Sequence, residues 1–209
     1  MAPSLTWTTA VTWPTMPARL EAEPPLAELT EPALVAACLA GRSGAFDLVV
    51  ERHQRAVYRL CFRFTGNHED ASDLSQDVFL RAYRGLRGFR GGSSLATWLY
   101  RIGVNVCLNR VSATAPLDGL TEPVEDDQHV DTRSESAPEL LIRQQRGACV
   151  RAAIARLPRK QRATLILRIY HEMSHQEIAD VLGSSVGAVK ANFFHALANL
   201  KKQLGSEAL

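Results

Sequence analysis

Between residues 46 and 64 the apolar side chains keep one rhythm. Phe46, Val49, Val50, Val57, Leu60, Cys61 and Phe64 recur at spacings of three and four, with His53 on the same stripe. Such spacing stacks side chains along one face of an α-helix, whereas a half-buried strand needs strict alternation. The rhythm returns at Leu95, Trp98, Leu99, Ile102 and Val106, and again at Val186, Val189, Phe193, Leu197, Leu200 and Leu204. No strand-like alternation competes with it, so the expected class is all-α. A lone histidine on such a stripe is expected to be packed rather than to serve as a ligand.

Glycine, proline and capping residues divide the helices. Gly41 stops a short helix over 34–40, Ser43 can cap the next, and Gly66 ends it. Asn67 is placed to cap a third helix, whose Glu69 and Asp70 suit the positive helix end. Gly88, Gly91 and Gly92 exclude regular helix from 87–94, after which Ser93 or Ser94 can cap the helix carrying Trp98. Pro158 suits the first turn of a helix over 158–171, in which Leu165, Ile166, Ile169 and Tyr170 form the expected buried face. Ser174 with Glu177 reads as a capping box for a short helix, Gly183 turns the chain, and a last helix begins near Ser185.

Residues 1–31 are rich in Thr, Pro and Ala without helical period and read as a disordered tail. Residues 112–139 hold Pro116, Pro123, Pro138 and eight acids, and read as a flexible linker. Two small helical domains remain, over 32–111 and 140–204, the second ending in a helix-turn-helix. The net charge of +2 conceals strong segregation. Residues 34–111 hold eleven Arg against six acids, and residues 140–204 hold eleven Lys/Arg against three. Two basic bodies on an acidic tether suit a polyanion touched twice. Cys38, Cys61, Cys107 and Cys149 form no C-x-x-C pair and fall inside helical patterns, so reduced core thiols are expected. No apolar run reaches membrane-spanning length and no signal-peptide layout opens the chain, so a cytoplasmic protein with no membrane insertion is expected.

Three surfaces carry candidate chemistry. Asp70, Asp73 and Asp77 fall at i, i+3 and i+7, on one helix face. From Arg81 to Arg110 there are six arginines and no acid, interleaved with Phe89, Trp98 and Tyr100. Aromatic faces stack on unpaired bases at roughly 1–3 kcal/mol each, while Arg90 and Arg101 suit phosphates. Ser93, Ser94, Asn105 and Asn109 can reach base edges, and Trp98 can alternatively be core. In the helix-turn-helix, Ser185, Ala188, Lys190, Ala191 and Asn192 avoid the core near the start of the second helix, with His195 a turn later. Small residues there admit a DNA backbone, and Lys190 and Asn192 suit phosphates and base edges.

The run DASDLSQDVFLRAYRGL…FRGGSSLATWLYRIGVNVCLNR resembles the second region of bacterial RNA polymerase sigma factors, in the small extracytoplasmic-function group. LPRKQR followed by MSHQEIADVLGSSVGAVKANFFHAL is similar to their fourth region, although Ala188, Ala191 and Asn192 stand where Thr, Ser and Arg are common. The resemblance implies a transcription initiation factor without catalysis or cofactor. It would bind core polymerase through Asp73, Gln76, Asp77 and Phe79, and hold the downstream promoter element as a single strand along Phe89–Asn109. It would read the upstream duplex element with the last helix. A free monomer is expected, with an anti-sigma factor as a candidate partner. The alternative is a helix-turn-helix regulator of duplex operators that works without polymerase. His171-Glu172-Met173-Ser174-His175 also fits the zinc-peptidase pattern H-E-x-x-H. That chemistry needs both histidines on one unbroken helix, and a capping Ser174 breaks it, so no metal or catalytic residue is assigned.

Overall fold

The computed structural model describes residues 24–113 and 137–206, and the description is confined to them. Eight α-helices run over α1 (Glu31–Leu39), α2 (Ala45–Thr65), α3 (His68–Gly85), α4 (Leu95–Ala113), α5 (Ala137–Ala155), α6 (Arg159–Tyr170), α7 (His175–Leu182) and α8 (Val186–Ser206). Two single 3₁₀ turns, at Leu26–Glu28 and Leu86–Gly88, complete the order, and no strand occurs among the described residues. The all-α expectation holds.

Helices α2, α3 and α4 pack on one another, with α1 laid across α2. Val49, Val57, Leu60 and Phe64 of α2 meet Ala71, Val78 and Ala82 of α3 and Leu95, Leu99 and Val104 of α4, all buried. Gly103 sets the approach of α4 to α2, because a Cβ there would lie 2.8 Å from the Leu60 side chain. In the second half α8 packs against α5, α6 and α7. Asn67 accepts the Asp70 N–H at 3.0 Å, as expected of a cap. Ser174 accepts from Glu177 N–H at 3.2 Å, and the Glu177 carboxylate accepts from Ser174 N–H at 2.8 Å, which completes the capping box. Hydrogen bonding to its carboxylate from the Ser174 backbone, and then from the Ser174 side chain, holds the Glu177 carboxyl below its ordinary pKa.

Several expectations are revised. Residue 44 rather than Ser43 precedes α2, and as a glycine it takes the left-handed φ of 77° that the turn requires. Residues 24–31, expected in the disordered tail, form a strap. Arg52 donates to the carbonyls of Ala27 (2.8 Å) and Leu29 (3.2 Å), and Arg42 donates to that of Pro24 (2.8 Å). Glu31 starts α1 and accepts the Leu95 N–H at the beginning of α4. On α6, Ile169 is exposed while Arg162, Ala163, Thr164 and Leu167 are buried, because α6 meets α2 as well as α8. On α8, Ala196 is buried and Leu197 exposed. Cys61 and Cys107 are buried in the core, but Cys149 is exposed. A hydrogen bond to Cys61 and burial raise the Cys107 thiol pKa. The expected tail up to residue 23 and most of the expected linker, residues 114–136, lie outside the described residues.

The two halves are not held apart. Helix α7 packs along α4, and α6 touches α2. Buried apolar side chains of both halves belong to one core, and cations meeting backbone oxygens and rings add to the contact. Arg101 donates to the Asp180 carbonyl at 2.5 Å and Arg159 to that of Leu108 at 2.8 Å. Arg162 donates to the Phe64 carbonyl, and the Arg63 guanidinium lies 3.9 Å from the centre of the Tyr170 ring.

Candidate nucleic-acid and polymerase interfaces

The acidic face of α3 forms because its opposite stripe, Ala71, Leu74, Val78 and Ala82, is committed to the core. Asp73 and Gln76 are exposed, and Asp77 and Phe79 are half-buried. Two of the three aligned acids are already partnered. Asp77 accepts both oxygens' worth of contact from Arg81 Nε at 3.0 Å, and Asp70 pairs with Arg110 of α4 at 2.9 Å. The bond to Asp77 raises the Arg81 pKa. Next to this face stand Leu80 and Tyr83, 55% and 65% exposed, with Tyr83 edge-on to Phe46 at 5.0 Å. The sequence reading missed them. The available signal was their position off the buried stripe, where apolar side chains have no core to enter.

The loop and α4 place the aromatic candidates in two settings. Phe89 lies 5.3 Å from Trp98, both half-buried, and Trp98 packs on the core beside Gly85. Ser94 caps α4 by accepting from Thr97 N–H at 3.1 Å, and Arg90 and Ser93 sit in the loop before it. Arg101, Asn105 and Asn109, at i, i+4 and i+8, form one exposed line. Tyr100 is half-buried. Its hydroxyl is 3.2 Å from His171 Nδ1 and its ring is 4.9 Å from the imidazole, so burial raises its pKa.

The helix-turn-helix is α7, the Gly183 turn at φ 57°, and α8. Ser185 caps α8, its Oγ accepting from Ala188 N–H at 3.2 Å. Ala188, Lys190, Ala191 and His195 join it on the exposed side, while Asn192 is half-buried. Val189 beneath them is fully buried, which fixes the face that α8 turns outward. Phe194, 69% exposed beside His195, is a further apolar side chain that the sequence reading did not single out.

The peptidase motif is taken apart by the fold. Helix α6 ends at Tyr170, Glu172 takes φ 52°, and His175 begins α7, so the two histidines share no helix. His171 turns instead toward α4. Its Nε2 is buried with no hydrogen-bond partner among the described residues. Burial, then the nearby Arg63 and Arg59, lower its pKa to about 4.

Residues 49–115 match the Sigma-70 region 2 family and residues 147–200 match Sigma-70, region 4. The chain is 34% identical to the RNA polymerase sigma-H factor of Pseudomonas aeruginosa, over 78% of this chain and 88% of that one. It belongs to the sigma-70 family of RNA polymerase sigma factors. Relatives named as extracytoplasmic-function (ECF) factors place it in that group. SigM of Mycobacterium tuberculosis is 34% identical over 85% of this chain and 86% of its own length, and SigW of Bacillus subtilis is 30% identical over 78% and 91%. Among solved structures, CnrH in complex with the cytosolic domain of CnrY superposes with a TM-score of 0.60 at 27% identity. That match covers 84% of this chain and 97% of CnrH. A sigma factor directs RNA polymerase to promoters through DNA-binding regions 2 and 4, and this chain has both. Proteins of this family are transcription initiation factors. Among the described residues no helix is long and apolar enough to cross a membrane.

Proposed function

We propose that the sigma factor divides its work among three faces. Asp73, Gln76, Asp77 and Phe79, widened by Leu80 and Tyr83, dock on core polymerase in the cytoplasm. The loop from Phe89 to Ser94 and the line Arg101–Asn105–Asn109 hold the melted downstream element, with Tyr100 as its stacking ring. Trp98 supports Phe89 from the core side rather than meeting a base itself. Ser185, Ala188, Lys190, Ala191, Asn192 and His195 enter the upstream duplex. An anti-sigma factor is a candidate partner, and the similar CnrH is solved in complex with the cytosolic domain of CnrY.

One observation carries the reading. A single packed body, α2–α3–α4, presents an acidic, partly apolar face on α3 and a basic, acid-free line on α4. A duplex-operator regulator would have no use for the first face or for a loop of paired aromatics. The test is reconstituted transcription, with permanganate reading unpaired thymines. Asp73→Arg with Asp77→Arg should lose polymerase binding. Arg101→Ala with Asn105→Ala should keep polymerase and lose thymine reactivity. Loss of polymerase binding along with thymine reactivity in the Arg101→Ala, Asn105→Ala variant would show that the two faces are not separate.

A further inference from the structure

The stripe of α8 that points furthest from the core offers no hydrogen-bonding side chain. Gly187, Ala191, Phe194 and Ala198 fall at i, i+4, i+7 and i+11, and all four are exposed. Val189 and Ala196, on the opposite side, are buried. Phe194 is the large side chain on that stripe and is 69% exposed, with His195 edge-on to it at 5.8 Å. The polar groups of the face stand to either side, Lys190 and His195 exposed and Asn192 half-buried. A Cβ added to Gly187 would meet nothing nearer than the Ser185 Oγ at 4.0 Å, so the turn in front of the ring is open.

The charge around the ring says what it meets. Helix α8 contains no Asp or Glu, and Lys190, Lys201 and Lys202 are exposed along it. An apolar ring framed by lysines suits a polyanion that also carries an apolar group. In the major groove the base edges present donors and acceptors, and the thymine C5 methyl is the apolar group among them. The ring is placed to reach it. Phe194 is the ninth residue of α8, about 12 Å along the axis from Val186. Helical side chains lean toward the N-terminus, so the ring covers the turn that holds Lys190 and Ala191. Alanine and glycine on that side leave no bulk to hold the helix out of the groove.

We propose that Phe194 is a specificity-determining residue that reads thymine in the upstream duplex element through its C5 methyl group, in the space left open by Gly187 and Ala191. Lys190 and His195 then hold phosphate and neighbouring base edges, while the ring separates thymine from bases without a methyl group. This rests on the reading of α8 as the helix that enters the upstream duplex.

The experiment removes the methyl from the DNA and the ring from the protein. The full chain and Phe194→Ala each select from a randomised duplex pool at low salt. The wild-type site should contain a thymine that the variant no longer requires. In a labelled duplex of the selected site, deoxyuridine replaces each thymine in turn, which deletes the methyl and keeps every hydrogen-bonding edge. Anisotropy should show about fourfold weaker wild-type binding at the contacted position, the effect of one methyl lost from an apolar contact. Phe194→Ala should bind the two duplexes equally, and Phe194→Leu should keep part of the discrimination, both with helicity unchanged because the side chain is exposed. Equal wild-type affinity for every thymine and deoxyuridine pair would overturn the methyl contact and leave α8 as the duplex reader. Discrimination undiminished in Phe194→Ala would give the methyl to another side chain and overturn the role of Phe194. Absence of any selected sequence would overturn the reading of α8 and, with it, the thymine contact. Unchanged DNA preference in Phe194→Ala, with loss of core-polymerase binding or self-association, would place the ring at a protein interface and overturn the proposal.

Discussion

His171 makes the joint between the halves sensitive to acid, and the sign and size of the effect follow from its surroundings. Its imidazole faces Arg59 and Arg63 of α2 and the Tyr100 hydroxyl of α4, and no carboxylate figures among the groups that shift it. The folded pKa is about 4, against an ordinary value of 6.5. The unfolded chain therefore takes up the proton first as pH falls, and stability drops between about pH 6.5 and 4, with no loss above that window. The full difference corresponds to about 3 kcal/mol, of which about 2 kcal/mol is lost by about pH 5. His171→Gln keeps a polar side chain facing Tyr100 but cannot titrate. Urea unfolding of both proteins, from about pH 7.5 down to about pH 5, cancels the carboxylates common to them. The wild type should lose about 2 kcal/mol more than the variant. Parallel stability curves would refute the argument, because they would mean that His171 is solvated and free to protonate in the folded chain.

Other perturbations test other parts of the structure. Ser174→Ala removes one half of the capping box on α7 and should cost about 1 kcal/mol, read as a lower midpoint in thermal unfolding. Gly103→Ala forces a methyl toward Leu60 where α4 crosses α2, and should cost about 1–3 kcal/mol in the same assay. Lys190→Ala should flatten the dependence of duplex affinity on salt by about one ion, without a change in fold measured by circular dichroism. Metal analysis of the purified protein should find zinc well below one per chain, because His171 and His175 lie on opposite sides of a helix break; one zinc per chain, lost in His175→Ala, would contradict this.

The helices and their caps were legible because each rests on local chemistry. Asn67, Ser174 and Glu177 act within a single turn, and the stripe from Val49 to Phe64 has a period that only a helix satisfies. The outward face of α8 was legible for the same reason, since Val189 defines the opposite side. The joint between the halves was not legible. Arg63, Arg101, Arg159 and Arg162 meet rings and backbone carbonyls, which every residue possesses, so no complementary acid marks their targets in the sequence. A surplus of arginine over acid was read as charge for DNA, and part of it holds the protein together instead. The exposure of Ile169 and burial of Arg162 follow from that joint, which a helix considered alone cannot reveal. Leu80 and Tyr83 are legible from their place off the buried stripe of α3, where apolar side chains have no core to enter.

The strap over residues 24–31 bears on where this protein can be cut. The match to the second sigma region begins at residue 49, and a fragment designed on that boundary would start inside α2. It would lose Arg42 with the Pro24 carbonyl it engages, the Ala27 and Leu29 carbonyls that Arg52 engages, and the Glu31 carboxylate that receives the first amide of α4. That amide belongs to the helix whose start borders the loop of Ser93 and Ser94. Trimming the chain at its far end in sequence would thus loosen the geometry of the proposed single-strand face, and the smallest fragment that preserves the start of α4 begins no later than Pro24.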